Sequence, residues 1–286
     1  MKWVIGVLIV ISLFVSACID TNPDPNPDDY IDYQDSLNRT NSTNSTYNDT
    51  EVRGYYDIQY AFGSLFLNDF GISKANNPDL MNALRSIVVN YDVFVLQGVS
   101  QDISNQLNEI PMKSFITNDL GNERYVFLFS HKVEPGKLFY YPGDGFARKP
   151  VVMDFKTERE HLVVINAHLN PYNAEQEFRN LPEVVSWAEK NFGTDNIFIM
   201  GNLYSDCLFF DSFHLTKDYG WRWVIDEHST TVQDRDCAYD RIITTKGNLQ
   251  GPGEVDGLHH IRKDVLRGVT HHYAVRFNYF ERVYYG

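Results

Sequence analysis

The stretch that most constrains this chain is IFIMGNLYSDC, residues 197–207. Four consecutive apolar residues, Ile197, Phe198, Ile199 and Met200, suit a short strand buried on both faces. Gly201 ends the run, and a polar turn presents Asn202, Tyr204, Ser205 and Asp206. In open α/β folds, chemistry gathers on loops at the carboxyl ends of such strands. A chain built from several such runs must bury both faces of a sheet, which requires further strands and helices to cover them.

Others follow the same form. Residues 56–62 read as a first strand running into a turn at Gly63, 93–96 as a second buried strand, and ERYVFLFS from Glu123 and KPVVMDF (149–155) as two more. The basic and prolyl residues between these last two predict a hairpin near Gly136 or Gly143. HLVVINAH, 161–168, is a central strand that ends on polar groups. Asn77-Pro78 is an N-cap with a first-turn proline, and Leu80, Met81, Leu84, Ile87 and Val88 follow at helical spacing. Residues 174–190 carry Phe178, Leu181, Val185 and Ala188 on one face, with Pro182 expected to bend or restart the helix. A loop-rich segment holds Trp221 and Trp223, and strands are expected at 239–244 and 272–277. No internal repeat is visible. Interleaved strands and helices make the fold class α/β (α+β), a mixed sheet covered by helices.

The first 54 residues have a different character. Lys2, an apolar run over 3–15 and Ser16-Ala17-Cys18 have the layout of a secretory signal. The run falls short of the roughly 20 apolar residues a spanning helix needs. V-S-A-C resembles a lipobox, which implies cleavage after residue 17 and a lipid on Cys18; an ordinary signal peptide or a short anchor is the other reading. Residues 18–54 then form a tether: prolines alternate with Asp and Asn, and sequons stand at Asn38, Asn41, Asn44 and Asn48. Little of this segment can bury apolar surface, so an extended, solvated spacer is expected.

Charge and cysteines bound the function. The net charge is −13, and the domain over 55–286 remains acidic without the tether. That argues against broad, nonspecific capture of nucleic acid, which rests on phosphate neutralisation. With Cys18 assigned to the lipid, Cys207 and Cys237 remain for a disulfide in an oxidising compartment.

Taken in order, YDIQYAFG, YDVFVLQGV, NERYVFLFS, ARKPVVMDF, INAHLNP, GNLYSDC, DCAYDRI and THHYAV resemble the deoxyribonuclease I-like branch of the endonuclease/exonuclease/phosphatase superfamily. The resemblance implies a four-layer αββα sandwich of two mixed β-sheets, with a cleft at the top edge of both, and it matches the Cys207–Cys237 pairing. It also implies phosphodiester hydrolysis with one or two divalent cations, magnesium or another, and two histidines, each held by a carboxylate. His168 would pair with Glu123 and His272 with Asp240. A carboxylate on one ring nitrogen fixes the tautomer, so the other can take or give a proton near neutrality. Arg148 would contact substrate phosphate, a task suited to a guanidinium fork. Taken alone, a histidine at a strand end is as often a structural hydrogen-bonder, and Arg148 beside Lys149 a solvated basic pair. His259-His260 falls in no family motif and reads as loop.

The cation side departs from the family. Gly98 stands where a glutamate ligand belongs, Asn202 replaces an aspartate, Tyr204 an asparagine, and His271 another aspartate. Asp57 stands near a first-strand asparagine and adds one charge back. Hard cations want anionic oxygen ligands. Losing the cation removes several kcal/mol of transition-state stabilisation, about three or more decades of rate. Ser100 and Gly121 replace residues that grip DNA in the family. The expectation is a lipid-anchored, extracytoplasmic, catalytically degenerate module. Its alternative is a metal-dependent phosphodiesterase or nuclease with altered metal use, in which His271, Asp57 and Asp206 hold a softer ion. A third reading is a cell-envelope domain that binds a sugar or protein partner.

Overall fold

The computed structural model describes residues 54–210, 219–226, 228–245 and 253–285. Cys18, the four sequons and most of the tether lie outside them. No helix among the described residues is long and apolar enough to cross a membrane.

In chain order the elements are β1 (Gly54–Phe66), α1 (Ile72–Ala75), α2 (Pro78–Val88), β2 (Val93–Val99), α3 (Ser104–Leu107), β3 (Lys113–Ile116), β4 (Arg124–Phe129) and β5 (Glu134–Tyr140). Then follow β6 (Val151–Lys156), β7 (His161–His168), α4 (Ala174–Phe192), β8 (Ile197–Asn202), β9 (Arg222–Trp223), β10 (Asp240–Thr244), β11 (Gly253–Asp256), α5 (Lys263–Val269) and β12 (Ala274–Tyr285). They make two six-stranded mixed sheets, ordered β11-β12-β1-β2-β4-β3 and β5-β6-β7-β8-β10-β9.

Side chains alternate across each strand, and the alternation assigns three cores. Tyr60, Phe62, Val93, Val95, Tyr125 and Phe127 of the first sheet meet Met153, Leu162, Val164, Phe198, Met200 and Ile242 of the second. The outer face of the first sheet, with Leu65, Phe94 and Leu96, is covered by Leu84, Ile87 and Val88 of α2 and Leu266 of α5. The outer face of the second, with Val163, Ile165, Ile197 and Ile199, is covered by Phe178, Leu181 and Val185 of α4. This is the four-layer αββα sandwich.

The helix start at Asn77 is as expected, since its side chain accepts from the Asp79 and Leu80 amides. Three expectations are corrected, and the hairpin expected near Gly136 or Gly143 is placed at Gly143. The first strand does not turn at Gly63 but continues to Phe66. A side chain at Gly63 would strike the Tyr91 and Phe94 rings at 2.5 and 2.6 Å, so this glycine makes room for them within a strand. Gly136 lies inside β5, beside a register shift between Pro135 and Leu138, and the connection to β6 spans Gly143. Helix α4 runs through Pro182 without restarting. The strand expected at 272–277 starts at Ala274 and extends to Tyr285 because it pairs along nearly all of β1.

Candidate functional site

Continuing the alternation to the strand ends builds the site. In β7 the inward row is Leu162, Val164, Asn166 and His168; in β8 it is Phe198, Met200 and Asn202; in β10, Asp240 and Ile242. Register sets His168 beside Asn202, and Asn202 beside Asp240. Apolar residues give way to polar ones where the sheets open, and Gln97 Nε2 bridges the sheets there by donating to Asn166 Oδ1 at 2.7 Å.

Both expected histidine–carboxylate pairs are in contact. His168 Nδ1 lies 2.7 Å from Glu123 Oε2, and His272 Nδ1 lies 2.5 Å from Asp240 Oδ2. All four residues are buried. Glu123 also accepts from the Gly98 amide at 2.7 Å. The backbone amide of His272 donates to the Thr270 hydroxyl, and that of Asp240 to the Thr231 hydroxyl. Burial pushes the His168 pKa below its ordinary value, opposed by the hydrogen bond and charge of Glu123. Its ring is therefore held neutral, with Nε2 buried and without a hydrogen-bond partner.

Arg148 reaches the same pair from behind. Its guanidinium donates to the His168 carbonyl at 3.1 Å and the Leu169 carbonyl at 2.8 Å, and it lies 3.3 Å from Glu123. It clamps the end of β7 through Nε and Nη2.

The residue that sequence reasoning missed is Phe66. Its ring centroid is 4.7 Å from that of His168 and 4.9 Å from that of His272, so it contacts both imidazoles. Tyr204 packs against His168 at 5.7 Å, with φ of 48°. Its hydroxyl pKa is pushed up to about 12 by burial and then by the Asp240 charge. The signal for Phe66 was period-two alternation from Tyr60 through Phe62 and Ser64, hidden by ending the strand at Gly63.

The implied cation does not fit this donor set. Gly98 has φ of 76°, and a Cβ there would lie 1.6 Å from the Leu67 carbonyl oxygen, so no ligating side chain can be carried on this backbone. Asn202 Oδ1 accepts from the Tyr204 amide at 3.3 Å, which fixes the amide and leaves Nδ2, a donor, as its buried unpartnered atom. His271 is half-exposed and 3.8 Å from Asp234. Asp206 has its oxygens taken by the Cys207 and Ala238 amides at 2.6 and 2.7 Å. Asp57 is a correction: it is paired in register with Arg282, nine residues before Phe66 on β1. At roughly 3.3 Å per residue, that is about 30 Å from the histidines. Among the described residues, no three His, Cys, Asp or Glu side chains gather as a metal-binding group. Cys207 and Cys237 form a disulfide that ties the β8 loop to the start of β10, with Cα atoms 5.9 Å apart.

No family model matches the chain. It is 29% identical over 215 residues to a deoxyribonuclease-1 of Gallus gallus, covering 64% of this chain and 76% of the relative. With the Bos taurus deoxyribonuclease-1 it shares 25% over 248 residues, 73% of this chain and 88% of the relative. Among solved structures, an endonuclease/exonuclease/phosphatase family protein from Leptotrichia buccalis superposes with a TM-score of 0.57 at 16% identity, over 78% of this chain and 99% of that one. D. rerio TDP2 complexed with a single-strand DNA product gives 0.56 at 15% identity, over 78% and 99%. Paired six-stranded sheets with two histidine–carboxylate pairs at their common edge give this chain the deoxyribonuclease I-like sandwich fold, and its sequence is similar to that of deoxyribonuclease-1.

Proposed function

We propose that this is an exported, lipid-anchored domain in which phosphodiester hydrolysis has been lost or greatly weakened, leaving a binding or structural module. The observation that carries this reading is the Phe66 ring, packed against both histidines where a phosphate and its cation would need to enter. The Gly98 backbone and the Asn202 amide add to it, one excluding a ligand side chain and the other presenting a donor. The pairs that remain can move protons but cannot neutralise the charge of a pentacovalent phosphate. Plasmid nicking by the pure protein tests this, with magnesium, manganese and calcium each supplied. Nicking at background rate in all three is expected. Robust nicking that His168→Ala abolishes overturns the reading.

A second reading has its own support: both histidine–carboxylate pairs are kept, and the relatives are named as deoxyribonucleases. In it the chain is a metal-dependent phosphodiesterase acting on nucleic acid, and Phe66 swings aside for substrate. Nicking that rises in Phe66→Ala and falls in His272→Ala would favour it.

The disulfide supports an oxidising, extracytoplasmic location. Anchoring through Cys18 is tested by detergent phase partition. The natural chain should enter the detergent phase, and Cys18→Ser should stay in the aqueous one. Equal partition of the two removes the lipid from the proposal.

A further inference from the structure

We infer that the protein has a second small-molecule site at the opposite end of the first sheet, built to take an oxyanion such as a phosphate carried by a small organic molecule. Asp92 precedes β2 and Ser130 follows β4, whereas the histidines lie past the other end of those strands. Seven residues of β2 separate the two regions, about 20 Å at roughly 3.3 Å per residue. Between them Asp92, Ser130 and Arg276 border a cavity of about 430 Å³, within the usual size range of ligand pockets.

The charges around it set the ligand class. Asp92 is buried, and its carboxylate is already used: Oδ2 accepts from the Ala61 amide at 3.0 Å, Oδ1 from the Ser130 hydroxyl at 2.8 Å, and Lys132 lies 3.4 Å away. The basic side chains that line the space are His131, Lys132 and Arg276. Arg276 Nε lies 2.9 Å from Glu254 as an ion pair without hydrogen-bond geometry, and Nη2 donates to Asn278 Oδ1 at 3.4 Å, so neither contact uses Nη1. A second observation is independent of charge. Tyr91, only 4% exposed, lines the same cavity, and its hydroxyl has no hydrogen-bond partner. Its ring is fixed edge-on against Phe94, with the Arg276 guanidinium 5.6 Å above it. A buried phenol without a partner costs stability unless something accepts its proton. Among the charged groups that line the cavity, those with capacity left are donors, which suits a ligand of acceptors only, while Val89 and Met112 offer an apolar wall.

The test uses the full chain at constant ionic strength, with calorimetry and amide NMR. Inorganic phosphate, adenosine monophosphate and adenosine are the probes. Saturable binding of both phosphates, with shifts at Tyr91 and Lys132, is expected. Lys132→Gln combined with Arg276→Gln should weaken it by about tenfold or more. Tyr91→Phe, which removes one oxygen and leaves the packing, should weaken it by about fivefold. Tighter binding of the monophosphate assigns the site to an organic phosphate, and equal binding assigns it to the free oxyanion. His168→Ala should leave binding unchanged, so this result stands apart from that of the nicking assay. Three outcomes overturn the inference: no saturation below about 10 mM, adenosine binding as well as its monophosphate, or full binding by Tyr91→Phe and the double variant alike.

Discussion

Replacing Gly98 by alanine adds one methyl group and should be among the most damaging single changes in the domain. The residue has φ of 76°, where a Cβ costs about 1–2 kcal/mol. The new carbon would lie 1.6 Å from the Leu67 carbonyl oxygen, so one of the two backbones must move by roughly 1.5–2 Å to reach normal contact. That displacement strains the Leu67-to-Gln97 bond at 2.8 Å and the Phe70-to-Gly98 bond at 2.9 Å, each worth about 1 kcal/mol. It also pulls the Gly98 amide from Glu123, a charge-assisted bond of about 1.5–3 kcal/mol. With partial relaxation the loss should be about 3–5 kcal/mol, a large part of the 5–15 kcal/mol typical of a domain. Urea unfolding reads it directly: at a slope of about 2–3 kcal/mol per molar, the midpoint should fall by roughly 1.5 M. Gly98→Ala within about 1 kcal/mol of the natural protein would falsify the argument that this backbone excludes a side chain. The same geometry means that Gly98→Glu alone will not restore a cation ligand, because the glutamate would inherit the methyl group's collision.

Three other outcomes follow from the structure. Phe66→Ala should destabilise the fold by about 2–3 kcal/mol, and NMR titration should show the His168 pKa rising toward its ordinary value as water reaches the ring. Because burial lowers that pKa, the unfolded chain binds the proton more readily. Stability should therefore hold above about pH 6.5 and decline as pH falls toward the depressed folded value; His168→Gln should flatten that part of the profile. Reducing the Cys207–Cys237 disulfide, which joins residues 30 apart, should cost about 3–4 kcal/mol, visible as a lower urea midpoint with dithiothreitol.

The sequence disclosed those parts of the molecule where one physical signal acts alone. β7 and β8 are continuous apolar runs because helix α4 and the inter-sheet core bury both their faces. The histidine–carboxylate pairs were legible because each member sits at or beside the end of a strand in family order. β5 was not, because EPGKLFY is an edge strand, largely exposed or half-exposed, and keeps no apolar run. Gly63 was misread because its signal is spatial: two aromatic rings distant in sequence need the room of a missing Cβ. That error ended β1 early and hid Phe66. Gly98 was legible as a missing carboxylate but not as a fixed left-handed turn, since one letter serves both.

The pairing of β1 with β12 has a consequence for how such a molecule is made. Eleven register pairs join residues 54–64 to 275–285, so the first strand waits for a partner synthesised more than two hundred residues later. Closing so long a loop is slow, and until residues 275–285 leave the ribosome β1 keeps an open edge. A nascent polypeptide arranged this way cannot complete its first sheet until translation is nearly over.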